Sequence, residues 1–356
     1  TKMLDVLNDD CQLAIIKCLN LTDQFALYEA TEGYPNRLNS NITFAWEHQL
    51  CFELDGKSYD KFEEVPELLN IFLSSINATV QELKLEWVTI DILKRWESYT
   101  FCSMKALEYK LDDCNCDVDD ANEAIKIIAK LFPGLRSVKP YGGFDCSHLP
   151  IWTQLRKLDL SEWSPSSVME YSSVQEITKC LLLEELILSY YFEWPGIYDV
   201  VMVLPKLHTL SFSLKDDDLI FVNLLEKRGK EVHTIIFNDC IWEYKVPTLH
   251  KMSNLRHLTL LEDDGFTSEM LLELVADLKH LEQIDLVDCQ LWTGEEELWR
   301  TVASCPSLRT LNISGMQLYE NFFEFSRRVM DKTLNNRAQP LTLHCHNTGN
   351  YEELVS

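Results

Sequence analysis

A short apolar motif recurs along most of this chain and limits its possible folds more than any other feature. The motif has the form apolar-x-x-apolar-x-apolar, and its middle apolar residue returns at intervals of 20 to 31 residues. Good copies begin at Val80, Met104, Leu155, Leu183, Leu207, Val232, Leu255, Leu281 and Leu308, a weaker copy begins at Leu135, and Leu341-x-Leu343 closes the series. Internal repetition at this period predicts a stack of similar units rather than one globular core.

Each repeat combines the periodicity of a strand with that of a helix. Alternation of apolar residues within the motif predicts a strand, and the stretch that follows changes to helical spacing. Residues 121–132 form one predicted helix, which the following Pro-Gly pair ends, and residues 267–278 form another, which Thr267 or Ser268 caps. The repeats resemble leucine-rich repeats, and this resemblance implies a curved α/β solenoid with parallel strands on its concave face and helices on its convex face.

Two repeats carry a cysteine three residues after the last apolar residue of the strand. These are Cys240 and Cys289. They are similar to the cysteine-containing subclass of leucine-rich repeats, in which a small buried thiol occupies the turn that leaves the strand. That subclass is frequent in F-box proteins.

Residues 4–45 lack the motif and predict a small helical module. Asp9 and Asp10 favour a helix start, and Thr22 or Asp23 is placed to cap a second helix. About 40 residues here resemble an F-box. Together with the repeats, the module is similar to the F-box and leucine-rich-repeat proteins, with a module at residues 1–45, a connecting helical segment at 46–79 and about 10 to 11 repeats at 80–356.

This resemblance implies a substrate-recognition subunit of an SCF-type ubiquitin ligase. The module would dock on a Skp-type adaptor, and through it on cullin and RING subunits, while the repeats would hold a target protein. The implied adaptor-binding residues are Leu7, Asp10, Cys11, Leu13, Ile15, Ile16, Leu19, Leu21, Asp23 and Leu27. Asn8 stands where the family usually has Pro, and Gln24 stands where Leu is common. The alternative is a binding scaffold whose module only caps the repeats and does not engage the adaptor.

Loops after successive parallel strands stack on one edge of a repeat array, and here those loops are rich in acidic and aromatic residues. The candidate target-binding residues are Trp163, Tyr190, Tyr191, Trp194, Asp216, Asp217, Asp218, Asp239, Trp242, Glu262, Asp263, Asp264, Asp288 and Trp292. They predict a partner with a basic surface. The alternatives are aromatic packing between repeats and an acidic surface that serves solubility.

The overall charge limits the classes of partner. The chain has 57 acidic and 32 basic residues and a net charge of −25, which disfavours nucleic acid and anionic membrane surfaces. No stretch approaches the roughly 18 apolar residues of a membrane span. The 12 cysteines are scattered, which favours reduced thiols in the cytoplasm or nucleus. Four glycosylation matches, at Asn20, Asn41, Asn77 and Asn312, instead favour an extracellular repeat receptor.

We expect no enzyme activity, cofactor or metal. Asp113-x-Asn115-x-Asp117 lacks the Gly and Glu of a calcium loop, and Cys114-x-Cys116 lacks the spacing of a zinc or redox pair. His344-Cys345-His346 is compatible with a metal but has no evident third ligand. The sequence shows no phosphate-binding glycine loop, no nucleophile elbow and no local basic cluster that would bind a phosphate.

Overall fold

A computed structural model describes most of the chain. It covers residues 7–31, 37–112, 118–141, 146–162, 171–189, 196–212, 218–237, 249–261, 267–289, 296–318 and 321–348. The chain divides into two compact units, Thr1–Leu183 and Glu184–Ser356. The expected domain boundaries at residues 45 and 79 both fall inside the first unit.

The first unit begins with helices that are fixed at their N-terminal ends by asparagine side chains. Helix α1 spans Asp9–Cys18, and the backbone N–H of Cys11 donates to Asn8 Oδ1 at 2.9 Å. Helix α2 spans Leu21–Thr31. Asn20, rather than the expected Thr22 or Asp23, caps α2, because Asn20 Oδ1 accepts from the Asp23 N–H at 2.8 Å and Asn20 Nδ2 donates to the Asp23 carboxylate.

An aromatic core joins these helices to the elements that follow. Helix α3 spans Leu38–His48, strand β1 spans Cys51–Leu54, and helices α4 and α5 span Gly56–Glu64 and Pro66–Ile76. The ring centroid of Phe25 lies 5.6 Å from that of Trp46, 5.1 Å from that of Phe62 and 5.3 Å from that of Phe72. Phe72 also contacts Phe52 of β1, with the centroids 5.3 Å apart. The helical module therefore shares one core with the start of the sheet.

The strands of the first unit are parallel and follow chain order. Strands β2 to β5 span Glu82–Val88, Ala106–Leu111, Ser137–Tyr141 and Lys157–Leu160. Helix α6 spans Ile90–Arg95, helix α7 spans Val118–Leu131, and helix α8 spans Tyr171–Gln175, while short 3₁₀ turns cover Cys146–Ile151 and Glu176–Lys179. The predicted helix at 121–132 is α7, which begins three residues earlier. Strand β1, inside the segment expected to be helical, was not predicted and pairs with β2.

The second unit repeats the same arrangement. Strands β6 to β12 span Glu185–Leu188, Thr209–Phe212, Thr234–Phe237, His257–Leu261, Gln283–Val287, Thr310–Asn312 and Thr342–His344. Helices α9 to α13 span Ile197–Val203, Asp218–Arg228, Ser268–Asp277, Glu297–Ser304 and Phe322–Asn335, with a 3₁₀ turn at Gly229–Glu231. The N–H of Met270 donates to Thr267 Oγ1 at 3.2 Å, so Thr267 is the predicted cap of α11.

The middle apolar residues of the sequence motif are register partners in the sheet. In the second unit they are Leu186, Leu210, Ile235, Leu258, Ile284, Leu311 and Leu343. Alternate strand residues are buried, and the residues between them are mostly partly exposed. Cys289 is fully buried after β10, with its thiol 3.4 Å from the Leu260 carbonyl, as predicted, whereas Cys240 lies outside the described residues. Both units therefore have a leucine-rich-repeat-like fold.

Two arginines, which sequence reasoning did not single out, close helix ends in the second unit: Arg228 is buried and Arg337 is partly exposed. Arg228 donates to the carbonyls of Val201, Leu204 and Leu207, at and beyond the end of α9. Arg337 does the same for the end of α12, where it donates to the carbonyls of Val302, Cys305 and Leu308. The last carbonyls of a helix have no partner within the helix, and a cation also complements the helix dipole there.

Candidate protein-binding surfaces

Helix α1 presents an apolar stripe to solvent. Cys11, Ile15 and Cys18 are exposed and are spaced by four and three residues, so they lie on one side of the helix. Leu7, just before the helix, is 37% exposed, and Ile15 is 36% exposed. We call Leu7, Cys11, Ile15 and Cys18 the α1 stripe.

The predicted adaptor-binding residues differ in exposure. Leu7, Asp10, Cys11, Ile15 and Asp23 are exposed, while Leu13, Leu19, Leu21 and Leu27 are partly exposed. The prediction that Ile16 binds the adaptor is wrong, because its side chain is fully buried. It lies on the opposite side of α1 from the α1 stripe and so belongs to the core of the first unit rather than to a docking surface.

Gln24 joins the first three helices from inside the core. It is only 4% exposed, and its Nε2 donates to the carbonyls of Ile16 and Leu19 at 3.1 and 3.0 Å. Its Oε1 accepts from Trp46 Nε1 at 2.7 Å. Gln24 is therefore a buried polar group with its hydrogen bonds satisfied, and it fixes α1 against α2 and α3.

The strand face of the first unit carries charges that alternate in sign. Glu53, Lys84, Glu108 and Lys139 are register partners on β1 to β4. Lys84 Nζ lies 2.8 Å from Glu53 Oε1 and 2.6 Å from Glu86 Oε1. Hydrogen bonds to Glu53 and Glu86 raise the pKa of Lys84. Charges of opposite sign on neighbouring strands therefore compensate each other on this face.

An aromatic and cationic cluster lies beside these charges. Trp87, at a bulge in β2, has a φ of 62° and is 46% exposed. Lys110 Nζ lies 3.8 Å from the centroid of the Trp87 ring, within the range of a cation–π contact. The Tyr141 hydroxyl donates to Glu108 Oε1 at 2.7 Å. Burial and Glu108 raise the pKa of Tyr141.

On the strand face of the second unit, one series of register partners is mostly uncharged and can form hydrogen bonds; we call it a row. Its register partners are Glu185, Thr209, Thr234, His257, Gln283, Thr310 and Thr342. Beside this row, Asp285 accepts from Gln283 Nε2 at 2.9 Å and contacts His257 Nε2. Burial alone would raise the pKa of Asp285, but the hydrogen bonds of its carboxylate with His257 and Gln283 hold this pKa below its ordinary value. Such a row suits the backbone of an extended partner segment.

Most of the predicted acidic edge lies outside the described residues. This holds for Trp163, Tyr190, Tyr191, Trp194, Asp216, Asp217, Asp239, Trp242, Glu262, Asp263, Asp264 and Trp292, and for the side chain of Asp218 at the start of α10. Asp288 is exposed after β10 with a φ of 56°, and its carboxylate lies against Gly315, where an added Cβ would collide with it. Asp112 and Glu162 are also exposed after their strands. The acidic edge remains a prediction.

The described residues contain no group of three or more His, Cys, Asp or Glu side chains that could hold a metal ion. His344 and His346 are exposed, with ring centroids 6.5 Å apart. The segment 113–117, which holds the imperfect calcium motif and the cysteine pair, lies outside the described residues. Within the described ranges, no helix has the length and apolar character needed to cross a bilayer.

Comparisons with known proteins find similarity to solved structures at low sequence identity. No protein-family model and no curated protein matches the chain. An internalin, inlF, from Listeria monocytogenes is 14% identical with a TM-score of 0.36, over 77% of this chain and 83% of that chain. A Bacteroides fragilis protein is 13% identical with a TM-score of 0.42, over 83% of this chain and 85% of that chain. TLR13 in its complex with ssRNA13 is 12% identical with a TM-score of 0.38, over 77% of this chain and 50% of that chain.

Proposed function

We propose that this chain is a leucine-rich-repeat binding scaffold that acts as a substrate-recognition subunit of an SCF-type ubiquitin ligase. The α1 stripe docks on a Skp-type adaptor and so links the chain to cullin and RING subunits. The strand faces and the acidic edge hold a target protein with a basic surface. The chain itself performs no catalysis, and its contribution to ubiquitin transfer is to hold the target close to the conjugating machinery.

The observation that carries this proposal is the α1 stripe. Ile15 lies on a helix whose other side is already packed, and Leu7 lies just before that helix, so their exposure is not explained by the core of the chain. Exposed apolar groups at helical spacing are suited to burial against a partner helix or groove. Two exposed thiols continue the same stripe, and thiols bury readily.

The proposal places the chain in the nucleus or cytoplasm. Two observations support this location: the hydrogen bonds of two asparagines in glycosylation matches, and the free thiols of the cysteines. Asn20 Nδ2 donates to the Asp23 carboxylate at 2.8 Å, and Asn41 Nδ2 donates both to Asp9 Oδ1 at 3.1 Å and to Gln12 Oε1 at 2.7 Å. A glycan replaces one amide hydrogen, so on Asn41 it would remove one of these two hydrogen bonds. The nine cysteines within the described ranges are all free thiols.

The test is a calorimetric titration of the purified full chain with a Skp-type adaptor. Ile15→Asp places a charge in the α1 stripe, and we expect it to weaken adaptor binding by about tenfold or more, because central apolar contacts dominate interface energies. Ile151→Asp is the matched control, since Ile151 is 51% exposed in the same unit but lies far along the chain from α1. Wild-type binding that Ile15→Asp does not change would contradict the proposal. Circular dichroism confirms that each variant is folded.

A second candidate function is a scaffold that does not bind the adaptor. The aromatic core that joins Phe25 to Phe72 and Phe52 favours it, because the helical module is then a cap for the first strand of the sheet. The same titration separates the two functions. If the folded chain gives no heat of binding with the adaptor, the result favours the scaffold that does not bind the adaptor.

A further inference from the structure

A bulge in β2 turns Trp87 out of the core and onto the strand face of the first unit. Two β2 residues, Glu86 and Trp87, lie opposite the single residue Lys110 of β3, because the register shifts between Leu85 and Val88. Val88 is fully buried, whereas Trp87 is 46% exposed, so Val88 takes the core position that strict alternation would give to Trp87. Bulges of this kind often redirect a side chain beside a functional site.

The backbone of Trp87 has a conformation that is unfavourable for a large side chain. Its φ of 62° lies in the left-handed region, where a bulky residue is an outlier. Residues in such conformations persist where the surrounding structure fixes them, and they are concentrated at binding sites. The exposed ring of Trp87 does not fill the core, so a role in binding accounts for this conformation better than packing does.

The rings of Trp87 and Tyr141 hold an ammonium group of the chain itself. Lys110 Nζ lies 3.8 Å from the centroid of the Trp87 ring and 5.8 Å from that of the Tyr141 ring. Both distances are within the range of a cation–π contact, which extends to about 6 Å. In the described part of the chain, no carboxylate lies within ion-pair distance of this ammonium. We call Trp87 and Tyr141 the aromatic cage.

A cavity of about 180 Å³ adjoins the aromatic cage. It is smaller than the roughly 300–1,000 Å³ of sites for small-molecule ligands, so its size suits a single side chain. Without Lys110, its charged lining consists of two carboxylates and one ammonium, which belong to Glu86, Glu108 and Lys84. Lys139, 5.1 Å from the centroid of the Tyr141 ring, does not line the cavity. The lining therefore favours a cation once Lys110 has left.

We propose that the aromatic cage binds a lysine side chain of the target protein, and that Lys110 occupies this site until the target displaces it. The position of the Lys110 ammonium indicates the chemistry that the cage binds. Lys110 is partly exposed and flexible, and a cation–π contact at an exposed site is weak, so its ammonium can move into solvent. The inference rests on the proposed function, because it gives the basic surface of the target a site on the strand face.

The test measures fluorescence anisotropy of a short labelled peptide of alternating Lys and Ser residues, titrated with the full chain at physiological ionic strength, where salt screens non-specific attraction. Lys110→Met removes the internal occupant but keeps a long side chain, and we expect it to tighten binding by about threefold, because the competing state is lost. Trp87→Asn removes the ring, keeps the net charge and tolerates the left-handed backbone. We expect it to weaken binding by about tenfold.

The matched control for Lys110→Met is Lys126→Met, because Lys126 is an exposed residue of α7 and its loss changes the net charge by the same amount. Equal tightening in both variants would show a general charge effect and overturn the proposal. Tyr141→Leu removes the second ring and should also weaken binding, so the test does not depend on one ring variant being folded. Wild-type affinity in a folded ring variant, or no binding by both the wild type and Lys110→Met, would also overturn the proposal.

The adaptor titration on the same protein separates this inference from the proposed function. Adaptor binding without peptide binding would contradict the role of the aromatic cage alone. Peptide binding without adaptor binding would contradict the ligase role and leave the cage as a site of the binding scaffold.

Discussion

At the scale of single residues, neighbours in the sequence have different roles that the pattern alone did not separate. Ile15 and Ile16 are adjacent and equally apolar, and the sequence placed both on the adaptor-facing side. The orientation of α1 about its own axis separates them, because it places Ile16 in the core and Ile15 in the α1 stripe. Helical spacing identifies which residues share a side of a helix, but which side is buried depends on the elements that pack against it.

Gln24 gives a prediction at this scale. Gln24→Leu restores the residue common in the resembled family, yet it removes the partner of Trp46 Nε1 and of two carbonyls in the core. We expect the free energy of unfolding to fall by about 1–3 kcal/mol, the penalty for unsatisfied buried polar groups.

Urea denaturation measures this effect. Gln49→Leu is the control, since Gln49 is exposed, and we expect its change to stay within about 0.5 kcal/mol. A Gln24→Leu variant that is as stable as the wild type would show that this hydrogen-bond network does not contribute to stability.

At the scale of elements, the sequence predicted the strands well wherever the whole motif was present. The middle apolar residues identified from the sequence are the residues that pair in register. Strand β1 was missed because its copy of the motif begins with Gln49, while Phe52 and Leu54 still align with Leu83 and Leu85 of β2. A polar residue at the first position hides the motif, although pairing with the next strand is sufficient to form β1.

Arg228, which is buried, gives a prediction for the helix ends. Arg228→Ala leaves the carbonyls of Val201, Leu204 and Leu207 without this donor. We expect a loss of about 2–4 kcal/mol in the free energy of unfolding, since several buried acceptors lose a charged donor together. Lys227→Ala, at the exposed neighbouring position, should have little effect. Thermal denaturation followed by circular dichroism compares the two, and equal melting temperatures would contradict this role for Arg228.

At the scale of the whole molecule, the net charge predicted only part of how charge is distributed over the surface. The charge of −25 predicted acidic edges and basic partners, but it did not show the alternating charges of Glu53, Lys84, Glu108 and Lys139, which meet only through the strand ladder. The same limit applies to the strand faces. Residues 20 to 31 positions apart become neighbours in the sheet, so the local sequence cannot show which charges compensate each other.

The central claim is that the first helix docks on a Skp-type adaptor, and the cysteines of the first unit test it most directly. Cys11 and Cys18 lie in the α1 stripe, while Cys51 and Cys102 are exposed elsewhere in the same unit. Alkylation rates of each thiol, measured by mass spectrometry with and without the adaptor, report where the adaptor binds. We expect Cys11 and Cys18 to be protected by the adaptor and Cys51 and Cys102 to react at unchanged rates. Unchanged rates at Cys11 and Cys18 under a saturating adaptor concentration would contradict the claim.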